Sequence, residues 1–271
     1  MTDPMIVEFV RISEMGFNWM PIIQTAIGTA GGFMFGLLAF AIQQWFYRRR
    51  DQHDRDEAVN DALKRVLTCA STNMETLISH KRQFLNDLAP EVDTMQKLVE
   101  ASYEDATNIK PLVEGSQKLR YFYQTIPHAY ELEPPDFLEL SRVAEEMPHL
   151  STFIHRAMSA MKEYNAIRLE RNTLISEHAK ENAAGMNAYR VQYFANMLTG
   201  QGNGMILTVD DALAFFMLSN EQIENYFDHK VKLEGFMRYR PTDKAIRELP
   251  AIDRFSELRN QMVDFAERTG A

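Results

Sequence analysis

The 271-residue chain has a single cysteine, Cys69, which excludes an intrachain disulfide and any cysteine-rich zinc module. Neither H-E-x-x-H nor C-x-x-C occurs, and the one clear E-x-x-H, Glu146 to His149, has Pro148 between its two ligands. No metal and no cofactor is expected. Positive charge is in deficit: 29 Lys and Arg against 38 Asp and Glu give a formal net charge of −9, which argues against a general nucleic-acid binder. Glycine and proline are absent from Leu37 to Ala89, which leaves nothing in that stretch to break a helix. Convincing period-two alternation is missing too, with only a brief pairing conceivable at Met205–Val209, and no internal repeat stands out.

Hydrophobic residues make up 45% and charged residues 25%, the proportions of a folded protein. The mean hydropathy of −0.33 reads as soluble. That average hides a local feature, because positions 15 to 47 carry no charge at all. Pro21 to Tyr47 would make roughly 40 Å of helix, against a hydrocarbon core of about 30 Å. Trp19 stands at one end, and Trp45, Phe46 and Tyr47 stand at the other, where amphipathic rings favour the headgroup level. Arg48, Arg49 and Arg50 follow at once. The sequence therefore predicts a single transmembrane helix over 21–47, anchored by Trp19, Trp45, Tyr47 and Arg48–Arg50. The positive-inside rule puts the N-terminus outside the plasma (inner) membrane and residues 48–271 in the cytoplasm. A cleaved signal peptide fits poorly, since a cationic start is missing and the arginines lie just downstream. Residues 1–20 read as a short extracytoplasmic segment, either an interfacial amphipathic helix or a frayed tail.

Gly28, Gly32 and Gly36 form G-x-x-x-G-x-x-x-G, and Thr25 and Ala39 extend that face. Lipid supplies no hydrophobic drive between helices, so close backbone approach must hold them together. The ridge resembles the glycine zippers of some channels and transmembrane dimers, over these nine residues. The resemblance implies a homo-oligomer formed through the helix, with the lipid bilayer as the other partner.

Residues 48–271 predict an all-α cytoplasmic domain, a bundle of long antiparallel helices. The membrane helix would run on into it as one rod. Leu63, Val66, Leu67, Ala70, Met74, Leu77, Ile78, Phe84, Leu85 and Leu88 keep helical spacing, with Lys81 interrupting the stripe and Pro90 stopping it. A further helix from Pro90 carries Val92, Met95, Leu98 and Val99. Short helices are expected near Ser116–Thr125 and Asp136–Met147, and a long one over His149–Thr199 with a kink at Gly185. Gly200–Gly204 reads as a turn or linker, and Thr208 and Ser219 as helix caps, each with an acid or amide three residues on. Pro241 and Pro250 bracket a short piece before a last amphipathic helix carrying Ile252, Phe255, Leu258, Met262 and Phe265. Glu131, Glu133, Asp136 and Glu139 around Pro134-Pro135 suggest a solvated loop or a docking site for a protein partner.

Catalytic signals are thin. Ser159 and Lys162 match S-x-x-K without the accompanying motifs, and Cys69 falls on an apolar face as a small core residue. The leading expectation is a non-enzymatic assembly, scaffold or signalling module. Two alternatives stand beside it. One is a pore subunit lined by Gln24, Thr25, Thr29 and Gln43. The other is a tethered hydrolase in which folding gathers His149, His155, His178 and nearby acids.

Overall fold

In a computed structural model the described residues are 20–104, 109–144, 147–230, 242–250, 256 and 260; side chains of residues 21–27, 137–138, 142, 144, 148 and 228–230 are not described. Every regular element among them is helical. Helix α1 (Met20–His80) leads into a π-helical segment, Lys81–Leu85, and then into α2 (Asn86–Glu104). The bundle continues with α3 (Ile109–Ser116), a 3-10 turn (Tyr121–Tyr123), α4 (Phe137–Ala144), α5 (Pro148–Ala184), α6 (Ala188–Lys230) and α7 (Asp243–Ile246). The chain divides into two units, Met1–Ala58 and Val59–Ala271.

In the first unit the described side chains of α1 have almost no cover. Phe33, Met34, Phe35, Leu37, Leu38, Phe40, Ile42, Trp45, Phe46 and Tyr47 are all exposed. Among the described residues no helix is long and apolar enough to cross a membrane.

The second unit owns the core. Leu63, Val66, Ala70, Met74 and Leu77 are buried along α1, and Leu85, Leu88, Val92, Met95 and Val99 along the π segment and α2. Helix α2 packs on α6, and α1 reaches the hairpin of α5 and α6 through His80 against Tyr164 and Met74 against Asn220; the two hairpin helices pack on each other more extensively than any other pair. Burying side chains of this size stabilises by about 1.5–3 kcal/mol each before entropy is charged.

Several expectations from the sequence are corrected here. Pro90 lies inside α2, and buried Leu88 and Val92 on either side offset the roughly 3 kcal/mol that an interior proline costs. Lys81 opens the π segment, where Asn86 N–H reaches back to the Lys81 carbonyl, and its ammonium pairs with Asp210 of α6 at 2.7 Å. The helix expected near Ser116–Thr125 is displaced: α3 ends at Ser116, and only a 3-10 turn follows. Gly185 is an end and not a kink; its φ of 91° closes α5 and turns the chain into α6.

Gly200–Gly204 is no linker, because it lies within the 43 residues of α6. A Cβ on Gly202 would come within 2.6 Å of Val92 Cγ2, and one on Gly204 within 3.3 Å of Ile167. These glycines let α2 and α5 approach the backbone of α6. Thr208 and Ser219 cap nothing; each hydroxyl donates to the carbonyl four residues back, Gly204 at 2.9 Å and Phe215 at 2.8 Å. The last amphipathic helix falls mostly outside the described residues.

Candidate functional site

Between the 3-10 turn and α4, residues 124–136 run as an extended strap across α1 and α5. Its backbone polar groups cannot join a sheet, so side chains must satisfy them. Three asparagines do so in the same way. Asn172 accepts from Ile126 N–H at 3.0 Å and donates to Ile126 C=O at 2.8 Å. Asn165 accepts from Ala129 N–H at 3.0 Å and donates to Ala129 C=O at 2.9 Å. Asn73 accepts from Leu132 N–H at 2.8 Å and donates to Leu132 C=O at 2.9 Å. The contacts recur every third strap residue, which is the repeat of a polyproline II helix. Within the strap, Ile126 and Ala129 are themselves buried.

Arg171 anchors the start of the strap. Its guanidinium is fully buried and donates to the carbonyls of Gln124, at 2.8 Å, and Phe122. Burial draws its pKa down to about 10, opposed by nearby Tyr164. Arg168 donates to Ile126 C=O at 3.1 Å.

The acidic residues around Pro134-Pro135 lie on a loop as expected, with Glu133 and Asp136 exposed and Glu131 and Glu139 half-buried, and each has a partner. Glu131 accepts from Asn165, Glu133 pairs with Lys162 at 3.1 Å, and Glu139 pairs with Arg65 at 2.6 Å. Asp136 caps α4 through the Glu139 amide. Each acid is therefore spoken for within the chain.

Where the strap passes the π segment, a cleft of about 670 Å³ opens. Helix α1 contributes Thr72, Glu75, Thr76 and Ser79, which share one face. The π segment adds Arg82, Gln83 and Phe84, and the strap adds Pro127, His128 and Tyr130. Thr242 and Ala245 close the remaining side. A π segment is uncommon and frequently marks a functional position. At the floor, His80 Nδ1 lies 3.1 Å from the Tyr164 hydroxyl, and the rings meet edge to face. Burial lowers the His80 pKa, and Arg168 and His128 lower it further. Burial raises that of Tyr164.

No protein family, curated protein or solved structure matches this chain. Its own geometry carries the reading. Helix α5 holds His149, His155 and His178, with about 44 Å of helix between the first and last, so folding does not bring the three together. His178 stacks on Tyr123 at 4.6 Å and meets Phe194 edge to face. Among the described residues no cluster of three or more His, Cys, Asp or Glu could hold a metal ion.

Of the residues expected to pack or anchor a membrane helix, Gly28, Gly32, Gly36 and Ala39 are exposed, and a Cβ on any of the three glycines would meet nothing within 4 Å. Trp45, Tyr47 and Arg48–Arg50 are exposed, with the Arg49 guanidinium 5.3 Å above the Trp45 ring. Trp19, and the side chains of Gln24 and Thr25, lie outside the described residues. Thr29 is exposed, and Gln43 donates to Tyr47 at 3.4 Å.

Two chemical consequences are open to measurement. Cys69 is 1% exposed, donates to the Leu132 carbonyl at 3.2 Å, and has its pKa pushed up from 9.0 to about 11 by burial, with Glu133 adding to the shift. At pH 8 the thiolate fraction falls by about a hundredfold, so alkylation of the folded chain should be at least that much slower than in urea. Equal rates would place the thiol at the surface.

The second consequence concerns acid. His80 and His178 both have depressed pKa values, chiefly from burial. Below about pH 6.5 the unfolded chain takes up protons that the folded chain refuses. Stability should therefore hold above that pH and fall as the pH drops toward the lower folded values. The urea midpoint should be lower at pH 5.5 than at 7.5, and His80→Gln should flatten the slope. A midpoint level across that range would mean neither ring is held neutral by its surroundings.

Proposed function

We propose that this chain is a single-pass membrane protein whose helical domain serves as an oligomeric assembly, scaffold or signalling module. The observation that carries this reading is the change of environment along α1. From Phe33 to Tyr47 ten large apolar side chains are exposed, whereas from Leu63 onward the apolar stripe is buried. Monomeric soluble proteins rarely leave so large a contiguous apolar surface bare, and lipid is the solvent that suits it. The uncharged run extends back to Met15, so the described side chains are only part of the segment. Arg48–Arg50 mark its cytoplasmic end under the positive-inside rule.

The glycines support association. Each costs a helix about 1 kcal/mol relative to alanine. Unlike Gly202 and Gly204, Gly28, Gly32 and Gly36 have no neighbour among the described residues that requires them. A second copy packed along the ridge would supply the need.

Alkaline carbonate extraction of membranes bearing the full chain tests the anchor. The protein should stay with the pellet, and release into the supernatant would refute the span. Gly32→Leu should then weaken self-association in a bilayer at least tenfold, measured by energy transfer between labelled copies. Association unchanged by that substitution would remove the ridge as the interface.

A further inference from the structure

The cleft beside the π segment has features that neither the core nor membrane attachment requires. Its volume of about 670 Å³ lies within the range of small-molecule sites and exceeds what a bare inorganic ion fills. Its lining is split chemically. Arg82 comes from the π segment and His128 from the strap, so two nitrogen donors arrive from different elements. Arg168 stands behind them, close enough to bear on His80. Arg82 is the one permanent cation of the lining, on a chain of net charge −9.

The other walls define what accompanies the charge. Phe84 and Tyr130 provide flat apolar surface, with Tyr130 63% exposed. Glu75 is the single acid of the lining and lies seven residues before Arg82, about 10 Å of helical rise. A carboxylate there repels an anion but accepts hydrogen bonds from hydroxyls. Ser79 lies between the two; its oxygen already accepts from Gln83 at 2.9 Å, so its own proton is available to donate.

We infer that this cleft binds an aromatic organic anion no larger than a nucleoside monophosphate, with its anionic group at Arg82 and His128 and its flat body against Phe84. Phe84 lies two residues from Arg82 and Glu75 seven, so the ring surface and the anion donors are neighbours and the acid stands apart. Guanidinium-to-phosphate hydrogen bonds are charge-assisted and supply the larger share of affinity, while the ring faces supply orientation. The inference is independent of how the chain meets a membrane.

Isothermal titration of the purified full chain tests it, with adenosine monophosphate, adenosine and inorganic phosphate as the probes. Adenosine monophosphate should bind saturably, adenosine at least tenfold more weakly, and phosphate should compete. Arg82→Gln and His128→Gln should each weaken nucleotide binding about tenfold and leave adenosine unaffected. Both residues are exposed, so their variants should keep the parental thermal midpoint, which is measured alongside. Absence of saturable nucleotide binding overturns the site. So does adenosine binding as tightly as its phosphate, or either variant binding like the parent.

Discussion

Replacing Arg171 with alanine should lower the stability of the helical unit by about 4 kcal/mol, enough to move its thermal midpoint down by roughly 8–16 °C. Arg171 is the largest fully buried side chain described, and its guanidinium sits beneath the turn that starts the strap. Truncation leaves the carbonyls of Phe122 and Gln124 without donors and opens a cavity under Tyr164 and Phe122. Its hydrogen-bond partners are backbone carbonyls, and burial outweighs the opposing effect of Tyr164, which is why its pKa falls to about 10. Holding a charge there is itself costly, so a residue that fills the volume without the charge recovers part of the loss. Arg171→Met should therefore be less damaging than Arg171→Ala, and Arg171→Lys should fall short of the parent because one amine cannot match the fork. Urea unfolding of the three variants orders them. If alanine and methionine cost the same, packing is irrelevant and the carbonyl contacts alone matter. If alanine costs under 1 kcal/mol, the guanidinium is not holding the strap.

Asn165→Leu should cost about 3–5 kcal/mol although it swaps a polar residue for an apolar one in a buried position. The intuition that a core prefers leucine fails here because the amide stands in for a missing strand. It satisfies both backbone groups of Ala129, which is itself fully buried, and also reaches Glu131. Leucine would leave an N–H, a C=O and a carboxylate without that partner. Hydrogen exchange locates the damage: the Ala129 amide should lose protection first, while Leu63, Val66 and Leu77 in α1 keep theirs. Uniform loss over the whole unit would mean the strap and the helices unfold together. No change at Ala129 would mean the amide pairing contributes nothing.

Much of the helical unit was legible because helical periodicity is local. The stripe from Leu63 to Leu88 needed only the spacing of apolar residues, and all of those positions are buried except Phe84, which is half-buried. What escaped depended on distant partners. Gly-Gln-Gly-Asn-Gly has the composition of a turn, and nothing within it reveals that Val92, more than a hundred positions earlier, sits against Gly202. Thr208 and Ser219 match a cap signature that is satisfied equally well by a carbonyl one turn back inside a helix. The asparagines left a trace: an amide among Ala70, Met74 and Leu77, or beside Tyr164, is costly unless paired. Reading that trace required knowing that Asn73, Asn165 and Asn172 act on one segment. The cleft was invisible for the same reason, since Glu75, Arg82 and His128 are ordinary surface residues until the strap crosses the π segment.

Lys81 gave the plainest warning, as the residue that broke an otherwise regular stripe. The core positions Leu63, Ala70 and Leu77 repeat every seven residues, a beat that next falls on Phe84; the buried residue is Leu85, and Val92 and Val99 then keep the same interval. The π segment absorbs that single extra residue. One residue of helix is about 100° of rotation, so without it Leu85, Val92 and Val99 would turn by that angle relative to Leu63, Ala70 and Leu77. The segment behaves as a fixed rotary joint between two helical runs that count from different starting points. Each run is free to vary within its own beat, but the length between them is not. A single deletion anywhere from Lys81 to Leu85 would be a change of facing for everything after it, felt along all of α2 and not at the deleted position.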